Sequence, residues 1–126
     1  MLHKSVIARV FKTSWFGKAA RKAHISDTEL LKAIKQVAEG KVDDLGGGVF
    51  KKRLNDNMHR SIILANAGRF WVYEYLFAKQ DRANIENDEL LKFRKLAKSY
   101  ASLSEEQLQR LVEIGHFVEI GNDKNT

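Results

Sequence analysis

Apolar residues along this chain change their period twice, and that change limits the available folds more than any other feature. Trp15, Phe16, Ala19, Ala20 and Ala23 recur at helical spacing, as do Leu30, Leu31, Ile34, Val37 and Ala38. Ser14 stands as a cap before the first set. Ser26-Asp27-Thr28-Glu29 reads as a capping box before the second, which stops at Gly40. β-Branched and aromatic residues then dominate residues 49–54, 61–66 and 70–77, three strands, the last two joined by a tight turn at Ala67-Gly68. An earlier run, Val6-Ile7-Ala8-Arg9-Val10-Phe11, has the same character and reads as a first strand.

The helical period returns near the end. Asp88 caps a set made of Leu90, Phe93, Leu96, Ala97 and Tyr100, and Ser104 with Gln107 repeats the capping box before Leu108, Leu111 and Val112. Residues 116–120 add an edge strand or pack as coil. Asp43-Asp44-Leu45-Gly46-Gly47-Gly48 reads as a loop of wide backbone freedom. The order β-α-α-β-β-β-α-α predicts an α+β fold, a small antiparallel sheet carrying N-terminal helices and two C-terminal helices.

With 126 residues, no proline-rich linker and no internal repeat, the chain is expected to form one domain over 1–126. The absence of cysteine excludes disulfides, thiol catalysis and thiolate metal sites. No apolar run approaches the roughly 18 residues of a membrane span, and the first residues lack a leader's apolar core, so a cytoplasmic protein is expected, without membrane contact. The net charge of +6 favours a polyanionic partner. It is uneven: residues 1–63 carry thirteen basic and six acidic side chains, the rest nine and ten.

Motifs of common catalysis are missing: no Gly-x-Ser-x-Gly, no phosphate loop with Gly-Lys-Ser/Thr, no His-Glu-x-x-His. The glycine triplet reads as a turn, because a strand rather than a helix follows it. His3, His24, His59 and His116 show no metal-ligand spacing, so neither metal nor cofactor is expected. The dense feature is Lys51-Lys52-Arg53, with His59 and Arg60 shortly after and Lys79 and Arg82 beyond the third of these strands. Alternation sends Lys51 and Arg53 to one face and Lys52 to the other. Cations converging there suit phosphates and the extra charge of a pentacoordinate phosphorus; a solvated strand face is the plain alternative. Trp71, Tyr73, Tyr75 and Phe77 alternate along the last strand and are expected to share one face, as core or as a stacking platform.

Several blocks resemble the RelE-type toxins of bacterial toxin–antitoxin systems, in the branch with a longer C-terminal helical region, here 86–120. They are Arg9-Val10-Phe11-Lys12-Thr13, Trp15-Phe16, Ala20-Arg21-Lys22, Ile25-Ser26-Asp27 and Leu45-Gly46-Gly47-Gly48 running into Lys51-Lys52-Arg53. Phe77-Ala78-Lys79, Arg82-Ala83-Asn84-Ile85, Glu89-Leu90, Leu96-Ala97, Leu103-Ser104 and Leu108 continue the likeness.

The resemblance implies a metal-independent endoribonuclease that cleaves messenger RNA on the ribosome and is neutralised by a cognate antitoxin. In such an enzyme the 2′-hydroxyl attacks the adjacent phosphorus. By likeness, Lys51, Arg53, Arg60 and Lys79 stand at basic positions of the family. His59 replaces a family tyrosine, Gln80 stands where some relatives have arginine, and the C-terminal active-site tyrosine has no clear counterpart.

The expected catalytic set is His59, Arg60, Arg53 and Lys79, and the RNA-binding set is Lys51, Lys52, Arg53, Arg60 and Arg82. His59 is the expected base, because guanidinium stays protonated. Two other readings remain: a ParE-like toxin that inhibits DNA gyrase by contact, and a non-catalytic RNA-binding module.

Overall fold

A computed structural model describes residues 8–66 and 69–124. Val6 and Ile7 of the expected first strand and the expected Ala67-Gly68 turn lie outside them. Ten elements follow in order: β1 (Arg9–Thr13), α1 (Ser14–Lys22), α2 (Asp27–Ala38), β2 (Asp43–Gly46), β3 (Val49–Leu54), β4 (His59–Asn66), β5 (Phe70–Ala78), α3 (Asn87–Ala101), α4 (Glu105–Glu113) and β6 (Phe117–Asn122). The fold is α+β, as the change of periods predicts.

The sheet has six strands in the order β2-β3-β4-β5-β1-β6. It is mixed, not purely antiparallel: β1 runs parallel to β5, from Arg9 opposite Phe70 to Lys12 opposite Tyr73. A parallel pair needs a long crossover, and everything from α1 to β4 supplies it. β6 closes the far edge antiparallel to β1, so the C-terminal region adds a strand to the sheet as well as two helices.

Helices cover both faces. Phe16 and Ala20 of α1 and Leu30, Ile34 and Val37 of α2 pack over Val10, Ile63, Tyr73 and Leu76. On the opposite face Ala97 and Tyr100 of α3 and Leu108 of α4 join Phe11, Val49, Ile62, Leu64, Phe70, Val72 and Phe117. Burial on both sides explains why the middle of β4, Ile62-Ile63-Leu64-Ala65, is apolar without alternation.

Local chemistry shifts several expected boundaries. Thr13, not Ser14, caps α1, its Oγ1 accepting from the Phe16 N–H at 3.0 Å. Ser26 caps α2 as expected, but the Glu29 carboxylate turns away from the helix end and accepts from the Asn55 N–H at 2.5 Å. That bond ties α2 to the β3–β4 turn. Glu86 rather than Asp88 caps α3, with the Glu89 Oε1 accepting from the Glu86 N–H at 2.7 Å.

The expected loop 43–48 is a strand, β2, plus a turn. Gly46, Gly47 and Gly48 all have positive φ, the region in which side chains are strained. Arg94 of α3 clasps this turn, donating to the Leu45 carbonyl at 2.5 Å, and a Cβ on Gly47 would meet Arg94 Cγ at 2.8 Å.

The aromatic stripe of β5 is split. Ile62 faces Tyr75 and Ile63 faces Tyr73, so Glu74 is the extra residue of a β-bulge. Trp71 and Tyr73 therefore belong to the α1/α2 face, and Tyr75 and Phe77 to the α3 face. Tyr73 is fully buried and donates to the Leu30 carbonyl at 2.6 Å. The Glu74 carboxylate accepts from the Tyr100 hydroxyl at 2.7 Å, and burial pushes its carboxyl above the usual range.

Candidate functional site

The hairpin β3–β4 carries most of the basic residues singled out above. Its strands pair in strict register, with Lys51 opposite Ile62, Lys52 opposite Ser61, Arg53 opposite Arg60 and Leu54 opposite His59. Residues directly opposite share a face, and their Cβ atoms lie about 5 Å apart. Arg53 and Arg60 are thus immediate neighbours on the α3 face. Two guanidinium groups in that position repel, and among the described residues neither has a carboxylate within 4.0 Å. Arg60 is oriented instead by backbone, its Nη1 donating to the Asn57 carbonyl at 2.9 Å and the His59 carbonyl at 3.2 Å.

Lys51 lies on the same face. Its side chain is only 16% exposed, its Nζ donates to Asn84 Oδ1 at 3.2 Å, and Asp43 is 3.9 Å away. Phe77 continues the face as the cross-strand neighbour of Arg60, and the Arg82 guanidinium sits 5.5 Å from its ring centre. Arg82 is not free. It forms an ion pair with Glu89 through both terminal nitrogens and also donates to the Tyr75 hydroxyl at 3.4 Å. The bond from Arg82 holds the Glu89 carboxyl below the usual range and raises the guanidinium further. Lys79 is exposed just past β5, where its N–H extends the ladder by donating to the Met58 carbonyl.

The other face of the hairpin is different. Lys52 donates to the Lys41 carbonyl at 2.8 Å, and burial, with Lys41 and Arg53 nearby, lowers its pKa. Leu54 is in the core under α2. His59, opposite Leu54, has its Nδ1 3.1 Å from the Asn55 Nδ2, and Asn55 accordingly stands between the imidazole and Glu29. The turn that allows this has three left-handed residues in a row, Asn55, Asp56 and Asn57, types that tolerate such φ better than most.

The structure therefore brings together Lys51, Arg53 and Arg60 of the expected residues, with Arg82 alongside in an ion pair. Lys52 and His59 start from the opposite side of the pleat, yet Lys52 lines one cavity with Lys51 and Arg53, and His59 lines another with Phe77 and Arg82. Neighbours along a strand point to opposite faces, so His59 and Arg60 leave the first two positions of β4 in opposite directions. Asn84, Glu89 and Tyr75 join the site without having been expected there. The Arg82-Ala83-Asn84-Ile85 block carried a signal for Asn84, whereas Tyr75 depended on a bulge. Among the described residues no three His, Cys, Asp or Glu side chains gather as a metal group requires, and no helix is long and apolar enough to cross a membrane.

A basic sheet face of this form can bind a phosphodiester and stabilise charge on its phosphorus. Comparison with curated proteins and with solved structures gives no match. A family model described as the RelE toxin of the RelE/RelB toxin–antitoxin system matches residues 8–120. That match runs from β1 into β6 and takes in the whole basic face. The chain belongs to the RelE toxin family of toxin–antitoxin systems.

Proposed function

We propose that this toxin is a metal-independent endoribonuclease that cleaves messenger RNA on the ribosome and so stops translation. The observation that carries the reading is the Arg53–Arg60 cross-strand pair, held without a carboxylate partner among the described residues. Such a pair costs stability until an anion sits on it. Family membership supports the same reading and implies a cognate antitoxin as partner.

In the proposed reaction the substrate's 2′-oxygen attacks the adjacent phosphorus while the bond from phosphorus to the 5′-oxygen breaks. The 2′-hydroxyl loses a proton, the 5′-oxygen gains one, and the products are a 2′,3′-cyclic phosphate and a 5′-hydroxyl. Arg53 and Arg60 brace the developing dianion with rigid donor forks. Lys51, reacting as the neutral amine, takes the proton of the 2′-hydroxyl and becomes an ammonium, a change open to an amine and closed to a guanidinium. Lys79 assists the departing 5′-oxygen. His59, on the other face, is given no acid–base role.

Expression without the antitoxin is expected to arrest growth and translation. RNA mapped shortly after induction is expected to carry new 5′-hydroxyl ends within coding regions, and purified toxin with translating ribosomes is expected to cleave in the presence of a chelator specific for transition metals. Ends bearing 5′-phosphates overturn the 2′-hydroxyl chemistry. Arrest with intact messages and relaxed DNA supports the gyrase-directed reading instead. Unimpeded growth at high levels of folded protein contradicts a toxin altogether.

A further inference from the structure

The basic face does not end at Arg60. Phe77 is its cross-strand neighbour, Arg82 lies over the Phe77 ring and reaches the Tyr75 hydroxyl, and Tyr75 stacks on Trp15. The two rings are 5.2 Å apart at their centres and tilted by only 19°. Trp15 is nonetheless 50% exposed, while Phe16, the next residue, is fully buried and anchors α1 to the sheet. An indole held flat against one ring and open to solvent elsewhere adds little to the core. It forms part of the wall of a cavity of about 500 Å³, lined also by Ala19, Lys22, His59 and Gln80.

We propose that this cavity is a nucleobase subsite, which stacks on Trp15 the base of an RNA nucleotide neighbouring the phosphate held by Arg53 and Arg60. The proposal rests on the RNA-directed reading above and deepens it. Every base presents a π-face, so an exposed indole accepts bases with little regard to sequence. Lys22 places positive charge at the cavity for the connecting phosphate, while Arg82, its own charge met by Glu89, forms part of the wall. His59, Gln80 and Asp81, which line the same cavity, offer donors and acceptors to a base edge. His59 thereby gains a part in holding substrate, away from the reacting phosphorus.

The chain contains two tryptophans, so Trp71→Phe leaves Trp15 as the sole indole reporter. Titration of that variant with guanosine 3′-monophosphate is expected to quench its fluorescence to saturation, whereas ribose 5-phosphate at equal concentration is expected to have no effect. Calorimetry of Trp15→Ala against the wild type, both with Trp71 intact, gives a second measurement that needs no reporter. Loss of one base–aromatic stack is expected to weaken nucleotide binding roughly 5- to 150-fold. Equal responses to nucleotide and ribose phosphate, or unchanged binding in Trp15→Ala, overturn the subsite. Cleavage assays on the same wild-type preparation separate the two readings. Cleavage without base-dependent binding sinks the subsite alone, and base-dependent binding without cleavage sinks the nuclease while the subsite stands.

Discussion

The two faces of the β3–β4 hairpin use the same basic stretch of chain to opposite ends. On the α3 face Arg53 and Arg60 stand opposite each other without a carboxylate among the described residues, with Lys51 beside them. On the α2 face the Lys52 ammonium is satisfied by the Lys41 carbonyl, Leu54 is core, and the His59 imidazole meets the Asn55 amide. The α3 face leaves its two arginines without a carboxylate among the described residues; the α2 face gives Lys52 and His59 one hydrogen-bond partner each, although Lys41 and Arg53 still act on the Lys52 ammonium. Side chains adjacent in sequence leave a strand toward opposite faces, and the face whose arginines lack a carboxylate is the one proposed to receive an anion.

The contrast can be broken by changing each face separately. Lys51→Ala is expected to lower the single-turnover cleavage rate by roughly 10²–10⁴-fold, the usual worth of a general acid–base group. A loss no larger than that from removing a distant surface lysine would take the proton transfer away from Lys51. Next in size is ribosome or RNA affinity measured against salt. Arg53→Gln is expected to flatten the slope of log affinity against log salt by about 0.7, one phosphate contact, while Lys52→Gln leaves it almost unchanged. Equal flattening by both would mean that both faces touch the backbone.

The smallest effect sharpens the comparison in the other direction. Glu89 neutralises Arg82 beside the basic face, and its depressed carboxyl pKa keeps it ionised into mildly acidic solution. Glu89→Gln is expected to release Arg82 for a phosphate and steepen the same salt slope by up to about 0.7. An unaltered slope would mean that Arg82 serves only as a wall of the aromatic cavity.

The helices were legible because their signals are local. Ser26 and Ser104 announce α2 and α4, and the apolar spacing that follows each cap admits one period only. β2 was not legible: two aspartates, a leucine and a glycine have no strand pattern, and only pairing with β3 makes them one. The parallel β1–β5 pair rests on contacts far apart in sequence, and the bulge at Glu74 left no mark in an unbroken aromatic alternation. For the site, the basic stretch and the opposed directions of Lys51 and Lys52 were readable from the strand pleat. The same pleat separates His59 from Arg60, but joining them required the β3–β4 register, which the left-handed turn at Asn55, Asp56 and Asn57 determines.

The most direct test of the central claim compares two neighbouring residues. Single-turnover cleavage of one RNA by Arg60→Ala and by His59→Ala, at saturating enzyme, reads the chemistry on each face without the contribution of binding. The account predicts a loss of about 10²–10³-fold for Arg60→Ala, typical of a lost donor to a developing oxyanion, and a rate within about threefold of wild type for His59→Ala. The reverse order, with His59→Ala the crippled enzyme and Arg60→Ala nearly intact, would contradict it.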